Sequence, residues 1–145
     1  MEYKINKQSI GEVIWLKISY GEDLAEKISA FCSDQGIKSA YVSAIGALKR
    51  ASIGYYDQKE RKYVGKMIEK PLEIASFTGN VSLKDGKPFL HAHICLADEE
   101  GAVLGGHLNE GNIAFACECA IFCLKGKSLE RKYDETTGLS LWDFS

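Results

Sequence analysis

The sequence lacks several features that would place it in a class at once. No apolar run approaches the ~18 residues that a membrane-spanning helix needs, and the first residues, MEYKINKQ, contain no hydrophobic signal region. We therefore expect a cytoplasmic protein without a membrane partner. The 145 residues are 46% hydrophobic and 26% charged, as in an ordinary globular chain. That length suits one hydrophobic core, which predicts a single domain over residues 1–145.

An excess of positive charge is also missing. Lys and Arg number 18 against 20 Asp and Glu, which gives a net charge of −2 and a pI near 5.9. A domain that binds DNA through its phosphates usually has a pI above ~9. Basic groups such as Lys49–Arg50 and Arg61–Lys62 alternate with acidic residues, which favours solvated surfaces. Direct nucleic-acid binding is therefore not expected.

Signatures of the common catalytic and redox classes are absent. The strings GxGxxG, GxxxxGK(S/T) and GxSxG do not occur, so nothing indicates dinucleotide, nucleotide or serine-hydrolase chemistry. The five cysteines are odd in number and form no CxxC pair, which favours buried free thiols in a reducing compartment. Cys117 and Cys119 would share one face of a strand, so a thiolate metal site stays open as an alternative.

The pattern of apolar residues predicts one helix and many strands. Leu24, Ile28 and Phe31 recur at helical spacing, which predicts an amphipathic helix over about 22–35 that ends at Gly36. The remaining apolar or alternating runs predict strands at 12–19, 38–48, 51–57, 62–68, 72–83, 89–97, 102–108, 113–124 and 128–133. Together they indicate an α+β domain with a mainly antiparallel sheet.

All three histidines fall within 17 residues of this pattern. His91 and His93 are two apart on a predicted strand, so their side chains share a face with Cα atoms about 6.6 Å apart. If Glu99, Glu100 and Gly101 form a three-residue hairpin loop, Asp98 pairs with Ala102. Counting back along both strands, His93 then lies opposite His107 on the same face. A loop of two or four residues would send His107 to the other face.

Three imidazoles with a fourth position open suit zinc, bound at about 2.0–2.1 Å per nitrogen. Iron, nickel or copper also accept nitrogen ligands. Because the ligands must be neutral, we expect affinity to fall as the pH drops below their ordinary pKa near 6.5. The other interpretation is that the HxH string is fortuitous and that these are surface or hydrogen-bonded imidazoles.

Two charged residues are further candidates for the site. Glu118 is an acid inside the apolar run IAFACECAIFCL, where it could accept a histidine N–H, serve as a fourth ligand or act as a general base. It could equally face outward, on an edge strand or at a subunit contact. If Glu110–Gly111 closes a two-residue hairpin, Glu118 pairs near Val103, too far along the strand to bind the same ion within one subunit. Direct ligation would then need a neighbouring chain or another strand order. Arg131 is expected to form an ion pair with Asp134.

Several strings together resemble one known family. Ser43-Ala44-Ile45-Gly46-Ala47, Gly54-Tyr55-Tyr56-Asp57, Leu90-His91-Ala92-His93 and Gly105-Gly106-His107-Leu108 are similar to the plant and prokaryote conserved domain, PPC. Glu118 and Arg131 also fall at family positions, and the likeness spans about residues 21–139. It implies an α/β domain with a mainly antiparallel sheet, assembled as a homotrimer, and it supports a shared site at the three histidines. In plants the domain follows DNA-binding AT-hooks, and no Arg-Gly-Arg string of that kind occurs here.

Three hypotheses of function follow. In the first, the protein is a trimeric assembly or regulatory module that binds a metal, with zinc favoured. In the second, zinc at His91, His93 and His107 supports a hydrolase or lyase acting on a small molecule, with Glu118 as proton shuttle and Arg131 as anion anchor. In the third, the protein binds DNA, as prokaryotic members of the family are often labelled, although the net charge opposes this.

Overall fold

A computed structural model describes residues 3–144 of the chain. It confirms the predicted α+β class, with a mainly antiparallel sheet and one helix among the described residues. The elements in chain order are β1 Ser9–Ile18, α1 Leu24–Asp34, β2 Ala40–Asp57, β3 Lys62–Ile68, β4 Leu72–Lys84, β5 Lys87–Ala97, β6 Val103–Leu108, β7 Ile113–Lys125, β8 Glu130–Asp134 and β9 Leu139–Asp143. Every pairing between neighbouring strands is antiparallel except that of β4 with β8.

The helix forms where the sequence predicted it. Asp23 caps its start, because its carboxylate accepts hydrogen bonds from the backbone N–H groups of Ala25 and Glu26. Gly36 follows its end with a φ of +63°, a conformation that glycine adopts without steric cost. The buried side of the helix packs against β5 and β7. One face of the sheet is therefore covered, and it holds the hydrophobic core.

Strand β2 is continuous over 18 residues, so the prediction of two strands at 38–48 and 51–57 was wrong. Its first half lies between β4 and β7, and its second half pairs with β3 and β6. Lys49 and Arg50 look like a break in the sequence, but they sit on the strand with exposed side chains. A strand of this length joins the two parts of the sheet.

The predicted hairpin at Glu110–Gly111 does not form. Strands β6 and β7 both pair with β2 and not with each other. Glu118 therefore lies opposite Lys17 of β1 and Ile45 of β2, and its expected pairing near Val103 was wrong. Asn112, which is fully buried, holds this junction through hydrogen bonds with the backbone of Ser52.

The chain end adds a strand that the sequence analysis did not predict. Strand β9 folds back on β8, and Leu139 pairs with Asp134 across the turn. Gly138 occupies this turn with a φ of +76°. The β8–β9 hairpin lies beside the end of β4, on the side away from β5, and residues of both of its strands line a cleft together with His91. Among the described residues, no helix is both long and apolar enough to cross a bilayer.

Candidate metal centre and adjoining cleft

The β5–β6 hairpin has the predicted geometry. The backbone N–H of Asp98 donates to the carbonyl of Ala102 at 3.1 Å, and Gly101 adopts a φ of +77°. His93 lies directly opposite His107. The three-residue loop is therefore confirmed, and with it the placement of both histidines on one face of the ribbon.

The three imidazole rings form one cluster. Their centroids are 5.4 Å apart for His91 and His93, 5.2 Å for His91 and His107, and 5.6 Å for His93 and His107. One nitrogen from each ring lies within 4.8 Å of the corresponding nitrogens of the others, so that together they could hold a metal ion. In a tetrahedral zinc site with bonds of 2.0–2.1 Å, such nitrogens are about 3.4 Å apart. Small side-chain rotations close that difference.

The electrostatics of the cluster favour neutral rings. Burial, followed in order by the charges of Arg131, His107 and His93, lowers the pKa of His91 to about 4. Burial also lowers the pKa of His107, with a smaller contribution from His93. Neutral imidazoles carry the lone pairs that metal coordination requires. The Nδ1 atom of His107 is buried without a hydrogen-bond partner among the described residues, and coordination would satisfy such a nitrogen.

The glycines that precede His107 allow close contact between backbones. A Cβ atom at Gly106 would lie 2.6 Å from the carbonyl oxygen of Gly54, and one at Gly105 would lie 2.6 Å from that of Ile94. Real Cβ atoms do not approach so closely, so these glycines let β6 fit tightly between β2 and β5. They position His107 and leave no space for a ligand at their own positions.

A cleft opens beside two of the three histidines. It has a volume of about 280 Å³ and is lined by His91 and His107 together with residues of β3, β8 and β9. The ring of Tyr63 packs on that of His107, with their centroids 4.7 Å apart. Phe89 and Tyr56 complete the aromatic part of the wall. Tyr63 could not be predicted from the sequence, because its contact with His107 depends on the β2–β3 hairpin.

Arg131 lines this cleft and does not form the predicted ion pair with Asp134. Its guanidinium donates hydrogen bonds to the Ser82 hydroxyl at 2.8 Å, and to the Asn80 side-chain oxygen and the Ser140 carbonyl at 3.0 Å each. Asp134 instead accepts hydrogen bonds from Thr137. The prediction was wrong because the strand turns Arg131 inward, where only 7% of its surface is exposed.

Glu118 is placed away from the histidines within one chain. It is exposed on the uncovered face of β7. Its neighbour on that face, Ala120, belongs to a row of paired residues that continues through Ser43 and Thr78 to His93. Three strand spacings separate Ala120 from His93, a distance of about 14 Å. Glu118 therefore cannot contact an ion at the cluster of its own chain.

The cysteines behave as free thiols and not as metal ligands. Cys32, Cys117 and Cys119 are buried, and burial raises the pKa of their thiols to about 11, 11 and 12. Cys95 differs from the prediction, since it is exposed two residues after His93. Within residues 3–144, no cysteine belongs to a group of three or more clustered metal-ligating side chains.

Fold and site together define an α+β sheet domain with a histidine triad that could hold a metal ion. Residues 5–125 match the sequence model of the Plants and Prokaryotes Conserved (PCC) domain. The chain belongs to this family, which confirms the resemblance to the PPC domain.

Solved structures of similar proteins cover nearly the whole chain. The metal-containing protein of Archaeoglobus fulgidus is 46% identical, with a TM-score of 0.91 over 97% of this chain and 99% of that one. A plant- and prokaryote-conserved (PPC) protein of Pyrococcus horikoshii is 41% identical, with a TM-score of 0.90 over 96% of each chain. A protein of Bacteroides thetaiotaomicron, described as a candidate DNA-binding protein, is 26% identical, with a TM-score of 0.86 over 96% of this chain and 99% of that one.

Curated relatives resemble this chain over a small part of their own length. The bifunctional protein GlmU of Synechococcus sp. (strain JA-3-3Ab) is 31% identical over 101 residues. The match covers 69% of this chain and 15% of that protein. In this relative the similar segment is therefore one portion of a much longer chain.

Proposed function

We propose that this protein is a zinc-binding module that acts as a homotrimer in assembly or regulation. The observation that carries the proposal is the meeting of three imidazole nitrogens within 4.8 Å on one hairpin. Three neutral nitrogen donors with room for a further ligand suit zinc, although iron, nickel and copper accept the same donors. The metal-containing relative, 46% identical over nearly the full chain, supports a metal here.

Different residues of the chain would have different roles at such a site. His91, His93 and His107 would hold the ion, and the rigid β5–β6 register would orient the rings. A bound zinc ion supplies a Lewis acid with a position open to an external ligand. Tyr63 packs on the ring of His107, Phe89 lines the cleft with His91, and Arg131 adds a fixed positive charge near His91.

The uncovered face of the sheet supports the homotrimer. Trp15 is 78% exposed, Ile45 61% and Tyr41 44%. Residues paired across strands share a face of the sheet, and so do residues two apart on one strand. Trp15 pairs with Ala120, and Ala120 pairs with Ser43, which is two residues from both Tyr41 and Ile45. The side chains of Trp15, Tyr41 and Ile45 therefore lie on the side opposite the helix. Exposed apolar patches of this kind mark association surfaces. We assign this face to contacts between copies of the chain, and Glu118, which shares it, to a position near those contacts.

A module function also agrees with the occurrence of a similar segment inside longer proteins. In the Synechococcus relative, the matching segment accounts for 15% of the chain. A segment that recurs as a small part of a longer chain is expected to fold around its own core, as a module does.

The second candidate is a zinc-dependent hydrolase or lyase acting on a small molecule. The observation that favours it is the 280 Å³ cleft against His91 and His107, which could place a substrate beside the ion. Arg131 would anchor an anionic group of the substrate. Glu118 would have to come from a neighbouring subunit to act as its proton shuttle, because it lies about three strand spacings from the histidines of its own chain.

DNA binding is the least favoured candidate. The Bacteroides relative is described in those terms, but this chain has a net charge of −2. Binding that rests on phosphate contacts alone weakens steeply with salt. A mobility shift that persists at about 200 mM salt would therefore favour DNA binding over the module function.

Metal analysis of untagged protein tests the proposal directly. We expect one zinc per chain in the wild type and none in the triple variant His91→Ala, His93→Ala, His107→Ala. The matched control is Cys95→Ser, which changes an exposed ligand-type side chain on the same strand and should retain the metal. Equal metal content in the wild type and the triple variant would refute the site.

Light scattering tests the assembly. The wild type should have the mass of three 16.0 kDa chains, and Ile45→Glu should dissociate it because a charge would be buried between subunits. Ile5→Glu places the same charge at another exposed apolar residue, outside the sheet, and should leave the trimer intact. A wild-type protein with the mass of one chain would refute the trimer.

A further inference from the structure

The cleft beside the histidines has a charge opposite to that of the whole chain. Among residues 3–144, four cations line it, Arg61, Lys62, Lys84 and Arg131, and the lining contains no Asp or Glu. None of the four forms an ion pair with a carboxylate among residues 3–144. In a chain of net charge −2, this concentration of positive charge creates a local field that attracts anions.

Arg131 is the buried member of this group, with 7% of its surface exposed. Its guanidinium donates hydrogen bonds to three neutral oxygen acceptors, forms no ion pair among residues 3–144, and has its central carbon 5.5 Å from the ring centroids of both Phe89 and Trp142. A buried cation without a counter-ion costs desolvation energy. A guanidinium has five N–H donors, and three are used by these hydrogen bonds, so two are left for a ligand in the cleft.

The sheet places a second cation next to Arg131. Lys84 of β4 lies directly opposite Arg131 of β8 in the parallel register. Like charges in facing positions repel each other and destabilise the pair of strands. An oxyanion between them would offset the repulsion and would accept hydrogen bonds from both, as planar carboxylates and phosphates do from arginine.

Size and wall composition limit the ligand further. A volume of about 280 Å³ is at or below the lower end of ordinary ligand pockets, about 300–1,000 Å³. The aromatic rings of Tyr56, Tyr63 and Phe89 provide apolar walls for a carbon skeleton. The cleft therefore fits a molecule of metabolite size and not a nucleic-acid duplex.

We propose that this cleft binds a small organic anion, and that Arg131 and Lys84 recognise its carboxylate or phosphate group. The other end of the ligand would lie beside His91 and His107, facing the metal; this part of the inference rests on the proposed zinc site. Lys62, at the start of β3, adds a third charge from the opposite wall.

Isothermal titration of the untagged, zinc-loaded protein with succinate and with inorganic phosphate tests this inference. We expect saturable binding of at least one probe, and the one that binds identifies the preferred oxyanion. Lys84→Met and Lys62→Met should each weaken binding by about ten- to a hundredfold, since each removes a charge-assisted contact. Neither lysine is a proposed metal ligand, so zinc content should stay unchanged, and thermal unfolding should establish that both variants are folded.

The matched control is Lys66→Met, which removes the same charge from an exposed position on β3 outside the cleft. It should bind the probe like the wild type. Arg131→Met should abolish binding, and circular dichroism establishes whether that variant is folded. If Arg131→Met is unfolded, Lys84→Met and Lys62→Met test the proposal in its place. Binding of neither probe at millimolar concentration, or equal losses in Lys66→Met and Lys62→Met, would overturn the proposal.

Repeating the titration with the triple histidine variant separates this inference from the zinc site. Anion binding that persists there, and still depends on Lys84, supports the cleft even if the protein holds no metal. A zinc-loaded wild type that binds neither probe would refute the cleft and leave the metal site standing.

Discussion

His93 and His107 lie directly opposite each other on β5 and β6, with ring centroids 5.6 Å apart. A loop one residue longer or shorter would send His107 to the other face of the ribbon, because side chains alternate along a strand. The Asp98 carboxylate fixes the loop by accepting hydrogen bonds from the backbone N–H groups of Glu100 and Ala102, at 3.1 and 2.9 Å. The proposed metal site thus depends on a turn that contains none of its ligands.

The first prediction concerns this turn. Asp98→Ala should weaken zinc affinity severalfold while the protein stays folded, because the loop loses the acceptor that holds the β5–β6 register. Competition with a coloured chelator measures the affinity. Glu99→Ala, an exposed change in the same loop, should have no effect. Unchanged affinity in Asp98→Ala would show that the strands hold the register without the turn.

The second prediction concerns pH. The pKa of His91 is lowered from 6.5 to about 4 in the folded protein, chiefly by burial. Between these values the unfolded chain binds a proton that the folded chain does not, so protonation favours unfolding. The stability of the metal-free protein should therefore fall as the pH drops from about 6.5 to about 4. Urea unfolding with a chelator present should show a shallower decline for His91→Gln, and parallel declines would contradict the assignment.

The third prediction concerns the junction between β6 and β7. Asn112 is fully buried, and its amide donates to the carbonyls of Ser52 and Asn109 at 2.8 and 2.7 Å. Asn112→Ala leaves buried backbone groups without partners, which should lower the free energy of unfolding by about 3 kcal/mol. Chemical denaturation measures the change. Replacement of the half-buried Asn6, whose amide donates to the carbonyl of Lys127, by alanine should cost less than about 1 kcal/mol. Comparable losses would argue against this role for Asn112.

The fourth prediction concerns Gly46, where β2 bulges. This residue has a φ of +133°, and a Cβ atom there would lie 2.2 Å from the carbonyl oxygen of Ala116. Gly46→Ala should therefore destabilise the protein by about 3 kcal/mol or more, because backbone would have to move. Gly65→Ala is the comparison, since the nearest atom to its Cβ is 3.6 Å away. Thermal unfolding should rank the two variants clearly, and similar melting temperatures would disprove the steric argument.

Local features of the fold could be predicted from the sequence. The helix and the β5–β6 hairpin depend on residues close together in the chain: Asp23 and Gly36 at the helix ends, and Asp98 and Gly101 at the loop. Turn chemistry and periodicity report such interactions directly. The histidine cluster could be predicted for the same reason, because a single tight turn sets the register between β5 and β6.

Errors arose where pairing is distant in sequence. Nothing near Lys49 and Arg50 reveals that β2 continues, since its two halves are held by different partner strands. The apparent hairpin at Glu110–Gly111 fails because β6 and β7 each pair with β2 instead. Strand β9 alternates weakly, and its pairing with β8 became evident only in the structure.

By itself, then, the sequence determined the α+β class, the helix and the three histidines on one face, because each is written in spacings of a few residues. Only the tertiary structure decided the cleft. Lys62, Lys84 and Arg131 belong to three strands, and acidic neighbours separate them in the chain. The β2–β3 hairpin and the parallel β4–β8 pair bring these cations to one cleft, whose lining among residues 3–144 contains no acidic side chain. The order of charged residues along a chain does not determine which of them become neighbours in the fold, since strand pairing brings together residues that are far apart in the sequence.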